Sequence, residues 1–228
     1  MAEYRVQKLL SNYGYCSRRK AEKLIEEGRV KVNGETISIG DKASENDDLT
    51  VDGKPVSPEK KVYLMLNKPH GCVTALTDSR YKTVMSCIDV KERVFPIGRL
   101  DYNTTGLLLL TNDGDFANKV MHPRYEIKKT YLVEIDKPIT SADIKKIESG
   151  VRLEDGKTSK SKINAINPKR VEITIHEGKN RIVRRIFKHL GYKVERLKRI
   201  MIGKLRLGSL EPGEYKLLSS KQMQKIFE

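Results

Sequence analysis

The sequence predicts an α+β protein: a small helix–helix–strand domain, then a larger domain with a mainly antiparallel mixed sheet flanked by helices. Near the N-terminus, apolar residues recur at helical spacing and give way to a strand and an Asn-Gly turn. The stretch G-K-P-V-S-P-E-K-K, residues 53–61, has two prolines and the composition of a linker. From residue 62 onward, strand-like runs alternate with short helical segments. We therefore predict domains at 1–60 and 61–228.

The elements of the small domain follow from local signals. Val6, Leu9 and Leu10 recur at helical spacing and predict a first helix. Ser17 stands where a second helix needs a cap, and Gly28 stands where it would end. Two strands are predicted to follow, R-V-K-V-N-G at 29–34 and L-T-V at 49–51.

The larger domain is predicted to contain at least five strands and three helices. The helices are expected after Asn112 and Asp113, which read as a cap, and over 141–149 and 180–190. In the last helix, apolar residues share one face, while Arg181, Arg184 and Lys188 share the other. The predicted strands are V-Y-L-M-L-N, L-L-L-L-T, K-T-Y-L-V-E-I, R-V-E-I-T-I-H and K-L-R-L.

The charge of the chain points to a polyanionic partner. It has 45 Lys and Arg against 30 Asp and Glu, a net charge of +15. Residues 1–60 are neutral overall, whereas residues 178–228 carry 14 basic and 4 acidic residues. Nucleic acid is the first candidate partner for such a surface.

Other classes of protein lack their signals in this sequence. No apolar run approaches the ~18 residues of a membrane span, and the start M-A-E-Y-R-V-Q lacks a signal-peptide core. We therefore expect a cytoplasmic protein with no membrane partner. The three cysteines and four histidines form no ligand cluster, so we expect reduced cysteines and no metal.

A basic cluster opens the second predicted helix. Arg18, Arg19 and Lys20 lie in its first turn, where each positive charge opposes the helix dipole by roughly 0.3–1 kcal/mol. Together with free backbone N–H groups, such a cluster can bind phosphate. A solvated basic face is the alternative interpretation of the cluster alone.

One carboxylate stands in an unusual context. The stretch G-R-L-D-Y-N-T-T-G-L-L-L-L, residues 98–110, places Asp101 in a polar turn before an apolar run. A calcium loop is excluded because its twelfth position is Asn112 where a bidentate Glu is needed. A carboxylate pair with Asp113 or Asp115 is disfavoured because the intervening strand would separate them by ~13 Å or more. Asp101 is therefore expected to act alone, if it is more than a turn residue.

Motifs throughout the chain resemble those of the RNA pseudouridine synthases. The stretch around Asp101 resembles their signature G-R-L-D-x-x-T-x-G-L. The helix–helix–strand region with S-R-R-K-A-E-K-L-I resembles a small RNA-binding domain first recognised in a ribosomal protein. This combination resembles the RsuA/RluB branch, which acts on ribosomal RNA. Ile182 departs from the polar residue expected in many relatives. The further matching blocks are N-K-P-H-G, T-N-D-G-D-F-A-N-K-V-M-H-P, K-K-T-Y, E-G-K-N-R-I-V-R-R and E-P-G-E-Y.

The resemblance implies isomerisation of uridine to pseudouridine without cofactor or metal. It assigns a nucleophilic carboxylate to Asp101, an orienting guanidinium to Arg184 and an active-site ring to Tyr131. Tyr131 would stack on the uracil and help remove the C5 proton. Whether Asp101 attacks the sugar C1′, attacks the base or helps form a glycal stays open. The candidate RNA contacts are Arg18, Arg19, Lys20, Arg99, Lys179, Arg181, Arg185 and Lys188.

The expected partner is ribosomal RNA or a ribosomal-subunit precursor, bound by a monomer. The blocks at 111–118 and 177–185 favour relatives that modify large-subunit 23S rRNA, with a 16S enzyme as the alternative. A non-catalytic rRNA-binding assembly factor would have no use for Asp101, Tyr131 and Arg184 together. An RNA methyltransferase would need a glycine-rich loop after a strand, and the sequence has none.

Overall fold

The computed structural model describes residues 3–228 and divides into two compact units. The first comprises the chain up to Tyr63 together with Val90–Phe95 and Thr111–Asp115. The second comprises Leu64–Asp89, Pro96–Leu110 and Phe116–Glu228. The domain bounds 1–60 and 61–228 stay a prediction.

The first unit contains the two predicted helices. The hydroxyl of Ser17 accepts a hydrogen bond from the Lys20 amide and caps the second helix. Gly28, with φ +68°, follows its end in the left-handed region that glycine tolerates. The elements are β1 Tyr4–Arg5, α1 Val6–Asn12, α2 Arg18–Glu26, β2 Val30–Val32, β3 Glu35–Thr36, β4 Lys42–Ala43, β5 Leu49–Val51 and β6 Lys54–Pro55.

A small sheet completes this unit. Its order is β3-β2-β5-β6, and β1 pairs separately with β4. The turn between β2 and β3 uses Asn33 and Gly34, both with positive φ, as a tight hairpin requires. The apolar faces of both helices pack with the sheet in one core that includes Leu9, Leu10 and Leu24.

The predicted linker is partly wrong. Lys54 and Pro55 form β6, which pairs antiparallel with Thr50 and Val51 of β5. Proline is accepted there because β6 is an edge strand of the sheet. Pro55 therefore ends a sheet, and only the residues after it form an irregular connection.

The larger sheet and four helices lie mainly in the second unit. Two 3₁₀ turns, Val84–Cys87 and Pro123–Tyr125, lie between its elements. The strands are β7 Tyr63–Lys68, β8 Phe95–Ile97, β9 Thr104–Thr111, β10 Lys129–Ile135, β11 Arg152–Leu153, β12 Gly156–Lys157, β13 Lys162–Asn167, β14 Arg170–Ile175, β15 Val194–Ile202, β16 Leu205–Arg206 and β17 Tyr215–Leu217. The helices are α3 Gly114–Met121, α4 Ser141–Ser149, α5 Ile182–His189 and α6 Ser220–Gln224.

The order of the large sheet is β13-β14-β10-β15-β9-β7-β17, with β16 beside β15 and β8 beside β9. The β9–β15 pairing is parallel, while β10 pairs antiparallel with both β14 and β15. The prediction of an α+β fold with a mainly antiparallel mixed sheet is confirmed. Strand β9 lies inside the sheet, and Leu107–Leu110 are buried on both of its faces, as their continuous apolar run predicts.

Three local expectations need correction. The strand β15, which joins β9 to β10, was not predicted because charged residues interrupt its apolar alternation. Asn112 does not cap α3: its side chain bonds the backbone of Lys60 and Val62, while Asp113 accepts from the Asp115 amide. Helix α5 begins at Ile182 rather than near residue 180.

Across residues 3–228, none of the helices combines the length and the apolar character that a membrane crossing needs.

Candidate active site

Asp101 lies in the turn that joins β8 to β9. The Thr104 amide donates a hydrogen bond of 2.9 Å to the Asp101 carbonyl and closes this turn where β9 begins. The Asp101 side chain is 38% exposed, so its carboxylate faces a solvent-accessible space. The strand anchors the backbone of the turn while the carboxylate itself remains available.

Two buried side chains brace the turn from behind. The Thr74 hydroxyl donates to the Leu100 carbonyl at 2.8 Å and accepts from the Leu100 amide at 3.1 Å. The Lys68 ammonium donates to the carbonyls of Tyr102 at 3.3 Å and Thr104 at 3.0 Å. The backbone is therefore held on both sides of Asp101 by groups that do not use its carboxylate.

Lys68 brings a positive charge behind this carboxylate. Burial lowers the pKa of Lys68, and the thiol of Cys72 and the carboxylate of Asp101 act against that shift. The ammonium also donates to the Pro69 carbonyl at 3.1 Å, so all three of its protons have partners. This explains the lysine of the N-K-P-H-G block as a brace for the turn.

Two arginines from the start of α5 approach Asp101. The Nε atoms of Arg181 and Arg184 lie 3.9 and 4.0 Å from its Oδ2 atom. Arg184 is held in place by bonds to the carbonyls of Val194, at 3.2 Å, and Asn103, at 3.1 Å. Burial lowers the pKa of Arg184, and the nearby Asp101 carboxylate opposes that shift. Asp101 thus lies within ion-pair distance of two cations, of which Arg184 is held in place by backbone carbonyls.

A cavity of about 250 Å³ opens beside Asp101. Tyr131 of β10 lines it, directly across from Arg199 of β15 in the sheet register. Arg184 lines a neighbouring pocket and reaches Asp101 from the side. Of the three residues predicted as catalytic, Asp101 and Tyr131 therefore line the cavity, and Arg184 lies beside it within ion-pair distance of Asp101.

The predicted RNA contacts fall into three groups. Arg99, Lys179 and Arg181 line the cavity. Lys188 is exposed on α5, whereas the guanidinium of Arg185 is paired with the Asp155 carboxylate. The basic cluster Arg18, Arg19 and Lys20 is exposed in the first turn of α2, in the other unit. Ile182, the departure from the family pattern, is buried in the core and also borders the cavity.

The structure adds residues that the sequence reasoning missed. Thr104, Lys129 and Arg199 line the cavity beside Asp101 and Tyr131. Thr104 and Lys129 belong to the family motifs G-R-L-D-Y-N-T-T-G-L and K-K-T-Y. Their positions in these motifs could have marked them as site candidates. The exposed rings of Tyr81 and His70 also meet Tyr102 edge-on, with centroids 5.2 and 6.0 Å apart.

Gly106 of the signature has a steric role. It lies opposite Arg199 in the parallel pairing of β9 with β15 and has φ +100°. A Cβ atom there would stand 2.2 Å from the Arg199 carbonyl oxygen and 2.8 Å from its amide nitrogen. Both neighbours are backbone atoms, so they cannot rotate away. Glycine is what allows β9 to approach β15 behind the cavity.

We expect Gly106→Ala to lower the free energy of unfolding by about 3–5 kcal/mol, because the added methyl meets backbone and the φ is strained. Gly156→Ala is the matched control, since Gly156 has φ +112° but open space around its Cβ position. That variant should lose about 1–2 kcal/mol from strain alone. Equal losses in urea unfolding would contradict the steric role.

Comparison with known proteins gives the family of both regions. Residues 62–189 match the family model described as RNA pseudouridylate synthase, and residues 5–49 match the S4 domain. A crystal structure of a pseudouridylate synthase superposes with a TM-score of 0.73 and 34% identity, covering 97% of this chain and 99% of that one.

Curated relatives extend over nearly the whole chain. An uncharacterized RNA pseudouridine synthase of Aquifex aeolicus is 47% identical, over 100% of this chain and 95% of its own. Ribosomal large subunit pseudouridine synthase B of Bacillus subtilis is 43% identical, over 97% and 95%. The dual-specificity RNA pseudouridine synthase RluF of Escherichia coli is 37% identical, over 98% and 78%. With an S4 domain in front of the matching catalytic region, this chain belongs to the RNA pseudouridine synthase family of isomerases.

Proposed function

We propose that this protein converts a uridine of ribosomal RNA to pseudouridine, with 23S rRNA as the more strongly supported substrate. The observation that carries the proposal is the single carboxylate of Asp101 beside a cavity, within 4.0 Å of the guanidinium nitrogens of Arg181 and Arg184. Family membership supports the reaction. The curated relative of Bacillus subtilis is named for the large ribosomal subunit, which supports the target.

In this proposal Asp101 is the nucleophile. The target uridine leaves its stack and enters the cavity, because a base inside a helix cannot reach a side chain. The carboxylate then divides a difficult rearrangement into easier steps. Arg184 orients the carboxylate and favours its charged form, which a cavity filled by a nucleobase would otherwise disfavour.

The rearrangement balances without an outside reactant. The N1–C1′ bond breaks and its electron pair stays with the uracil ring. The ring turns, C5 bonds to C1′, and the proton on C5 is lost while N1 gains one. Tyr131, on the cavity wall, stacks on the ring and helps transfer the C5 proton. No oxidant, reductant or second substrate enters this sequence.

The proposed RNA interface has a part in each domain. In the domain proposed at 61–228, Arg99, Lys179 and Arg181 hold phosphates at the cavity, and Lys188 extends this surface along α5. Arg185 contributes there when RNA competes with Asp155 for its guanidinium. The exposed rings of Tyr81 and Tyr102 suit stacking with unpaired bases beside the target.

The domain proposed at 1–60 binds a second RNA segment through Arg18, Arg19 and Lys20. These side chains lie on the first turn of α2, where the positive end of the helix dipole adds to their charge. We propose that the protein works as a monomer in the cytoplasm. The three free cysteines suit such a reducing compartment.

The proposal is tested by incubating the purified protein with 23S and 16S rRNA transcripts and mapping pseudouridine by chemical sequencing. Product at a single position of 23S rRNA is expected. Product only in 16S rRNA would contradict the proposed substrate but would support the proposed reaction. Binding without product in either RNA would favour a non-catalytic assembly factor. Comparing rRNA from cells with and without the protein identifies the natural nucleotide.

Reversing the charge of the basic cluster tests the role of the small domain. Arg18→Glu with Arg19→Glu should weaken rRNA binding and make the slope of log K against log salt shallower by about 1–2, since each lost phosphate contact contributes about 0.7–0.9. The matched control is Lys31→Glu with Lys54→Glu, which makes the same charge change at exposed positions of the same unit. Equal loss of affinity for both pairs would point to net charge rather than a site.

A further inference from the structure

The cavity wall near Tyr131 carries polar groups that have no role in the proposed reaction as described above. The Arg199 Nη2 and Thr104 Oγ1 atoms are buried and have no hydrogen-bond partner among residues 3–228. The residues themselves are 4% and 2% exposed. The Lys129 ammonium has three protons and makes one bond, of 3.0 Å, to the Ile127 carbonyl. Buried polar groups are normally paired, so this set calls for a partner that enters the cavity.

The sheet brings these groups to the same wall as Tyr131. Lys129 and Tyr131 are two residues apart on β10 and so share a face. Tyr131 stands opposite Arg199, and Lys129 stands opposite Ile202. The partners of Lys129 and Tyr131 are therefore three positions apart on β15 rather than two, because the register shifts between Thr130 and Tyr131. This bulge lets both Arg199 and Ile202 line the cavity.

Arg199 is fixed in its position. Its Nε atom donates to the Leu107 carbonyl of β9 at 2.7 Å. Thr104 precedes that carbonyl on the same strand and borders the same cavity. The unpartnered guanidinium nitrogen is therefore held by the sheet rather than carried on a mobile side chain.

The wall is electropositive at this end. Burial, and then the charge of Arg199, lower the pKa of Lys129 to about 8, which leaves its amine mostly protonated near neutral pH. Two neighbouring cations without a carboxylate partner are costly in the empty site, and a ligand with electron-rich oxygens relieves that cost. Besides Lys129 and Arg199, the charged residues that line the cavity are Arg99, Asp101, Glu177, Lys179 and Arg181.

We propose that Lys129 and Arg199 receive the polar edge of the flipped uracil, with the two cations on its two carbonyl oxygens. Both oxygens are hydrogen-bond acceptors, which complements two cationic donors on the neighbouring strands β10 and β15; Thr104 lies on β9, on the other side of Arg199 from Lys129. Cytosine carries an amino donor in place of one carbonyl and would be repelled there. This inference rests on the proposed function, because it takes the cavity beside Asp101 as the base site.

The cations also act on the reaction itself. When the N1–C1′ bond breaks, its electron pair is delocalised from N1 onto the carbonyl oxygens of the ring. Attack of Asp101 on the base would place negative charge on the same oxygens. Lys129 and Arg199 stabilise this charge in either case, and the pair returns to C1′ when the C5–C1′ bond forms. The stabilisation is therefore larger in the transition state than in the bound ground state.

The first test compares Lys129→Met with Lys128→Met in single-turnover pseudouridine formation on 23S rRNA. Lys128 is the adjacent lysine, exposed and outside the cavity lining, so its loss controls for charge and chain position. Lys129→Met should slow the reaction on the order of 10²–10³-fold while changing the RNA dissociation constant less than about threefold. Lys128→Met should keep the wild-type rate.

The second test uses pH. At low RNA concentration the wild-type rate should fall as pH rises through about 8, because the Lys129 amine then loses its proton. Lys129→Arg should retain turnover and should not show this fall. Ionisation of the uracil would affect both proteins alike. Wild-type rates for Lys129→Met, or the same decline in Lys129→Arg, would overturn the inference.

A third measurement does not need turnover. Reaction of Lys129 with an amine-specific acetylating reagent, followed by mass spectrometry against pH, should show its amine titrating near pH 8, below the usual range of a lysine. If the wild-type protein forms no pseudouridine in any rRNA, the proposed function fails. Titration of Lys129 in the usual range of a lysine amine would overturn the inference whether or not the protein turns over.

Discussion

Asp101→Asn is expected to abolish pseudouridine formation, with a rate loss on the order of 10⁴-fold or more, as when a nucleophile is removed from other enzymes. The amide keeps the size of the side chain but is a far poorer nucleophile. The protein should still fold, since Thr74 and Lys68 bond the backbone around the turn and not the carboxylate. The free energy of unfolding should change by no more than about 0.5 kcal/mol.

The measurement is single-turnover product formation, with rRNA affinity followed in parallel. Affinity should be retained, because removing one negative charge from a basic cavity does not weaken its attraction for RNA. Asp89→Asn is the matched control: Asp89 is exposed in the same unit and does not line the cavity. Substantial turnover by Asp101→Asn would remove Asp101 from the role of nucleophile.

Arg184→Gln should slow turnover on the order of 10²–10³-fold, the usual effect of deleting a preorganised charged donor. Arg184 is 15% exposed at its side chain, and two carbonyls hold it beside Asp101. The substitution removes from Asp101 the cation that two backbone carbonyls hold in place. The loss should fall on the chemical step more than on RNA affinity, because the guanidinium is committed to protein groups.

Arg170→Gln serves as the control for Arg184→Gln. Arg170 is a half-exposed arginine of β14 within ion-pair distance of Glu134, and it does not border the cavity. Arg184→Lys separates charge from shape, since a lysine keeps the charge but cannot bond both carbonyls in the same planar geometry. Full activity of Arg184→Gln would leave Arg181 as the cation that serves Asp101.

Local signals predicted most elements that depend on neighbours in the chain. Helix α4 begins and ends where the pattern places it, and Ser17 and Gly28 bound α2 as expected. Strand β9 followed from an unbroken apolar run that only a doubly buried strand accommodates. Such signals can be recognised in the sequence because helix caps and the periodic burial of apolar residues involve residues only a few positions apart.

Long-range features escaped the same reasoning. Strand β15 was missed because its charged residues obscure the apolar alternation, yet it connects β9 to β10 and carries Arg199 to the cavity. Asn112 looked like a helix cap, but it bonds backbone 50 and 52 residues away. Neither the neighbours of β15 nor the backbone partners of Asn112 can be predicted from sequence spacing, because tertiary packing brings them together.

The sequence by itself determined the α+β class, the basic partner surface and, through its motifs, the family and the candidate residues Asp101, Tyr131 and Arg184. Only the tertiary structure decided that Lys68 bonds the backbone of the turn that holds Asp101, and that Gly106 leaves room for the backbone of β15. It also decided that the strand of Lys129 pairs with the strand of Arg199 beside the cavity. The physical reason is that hydrogen bonding, steric contact and electrostatic coupling depend on distance in space, which chain order does not specify.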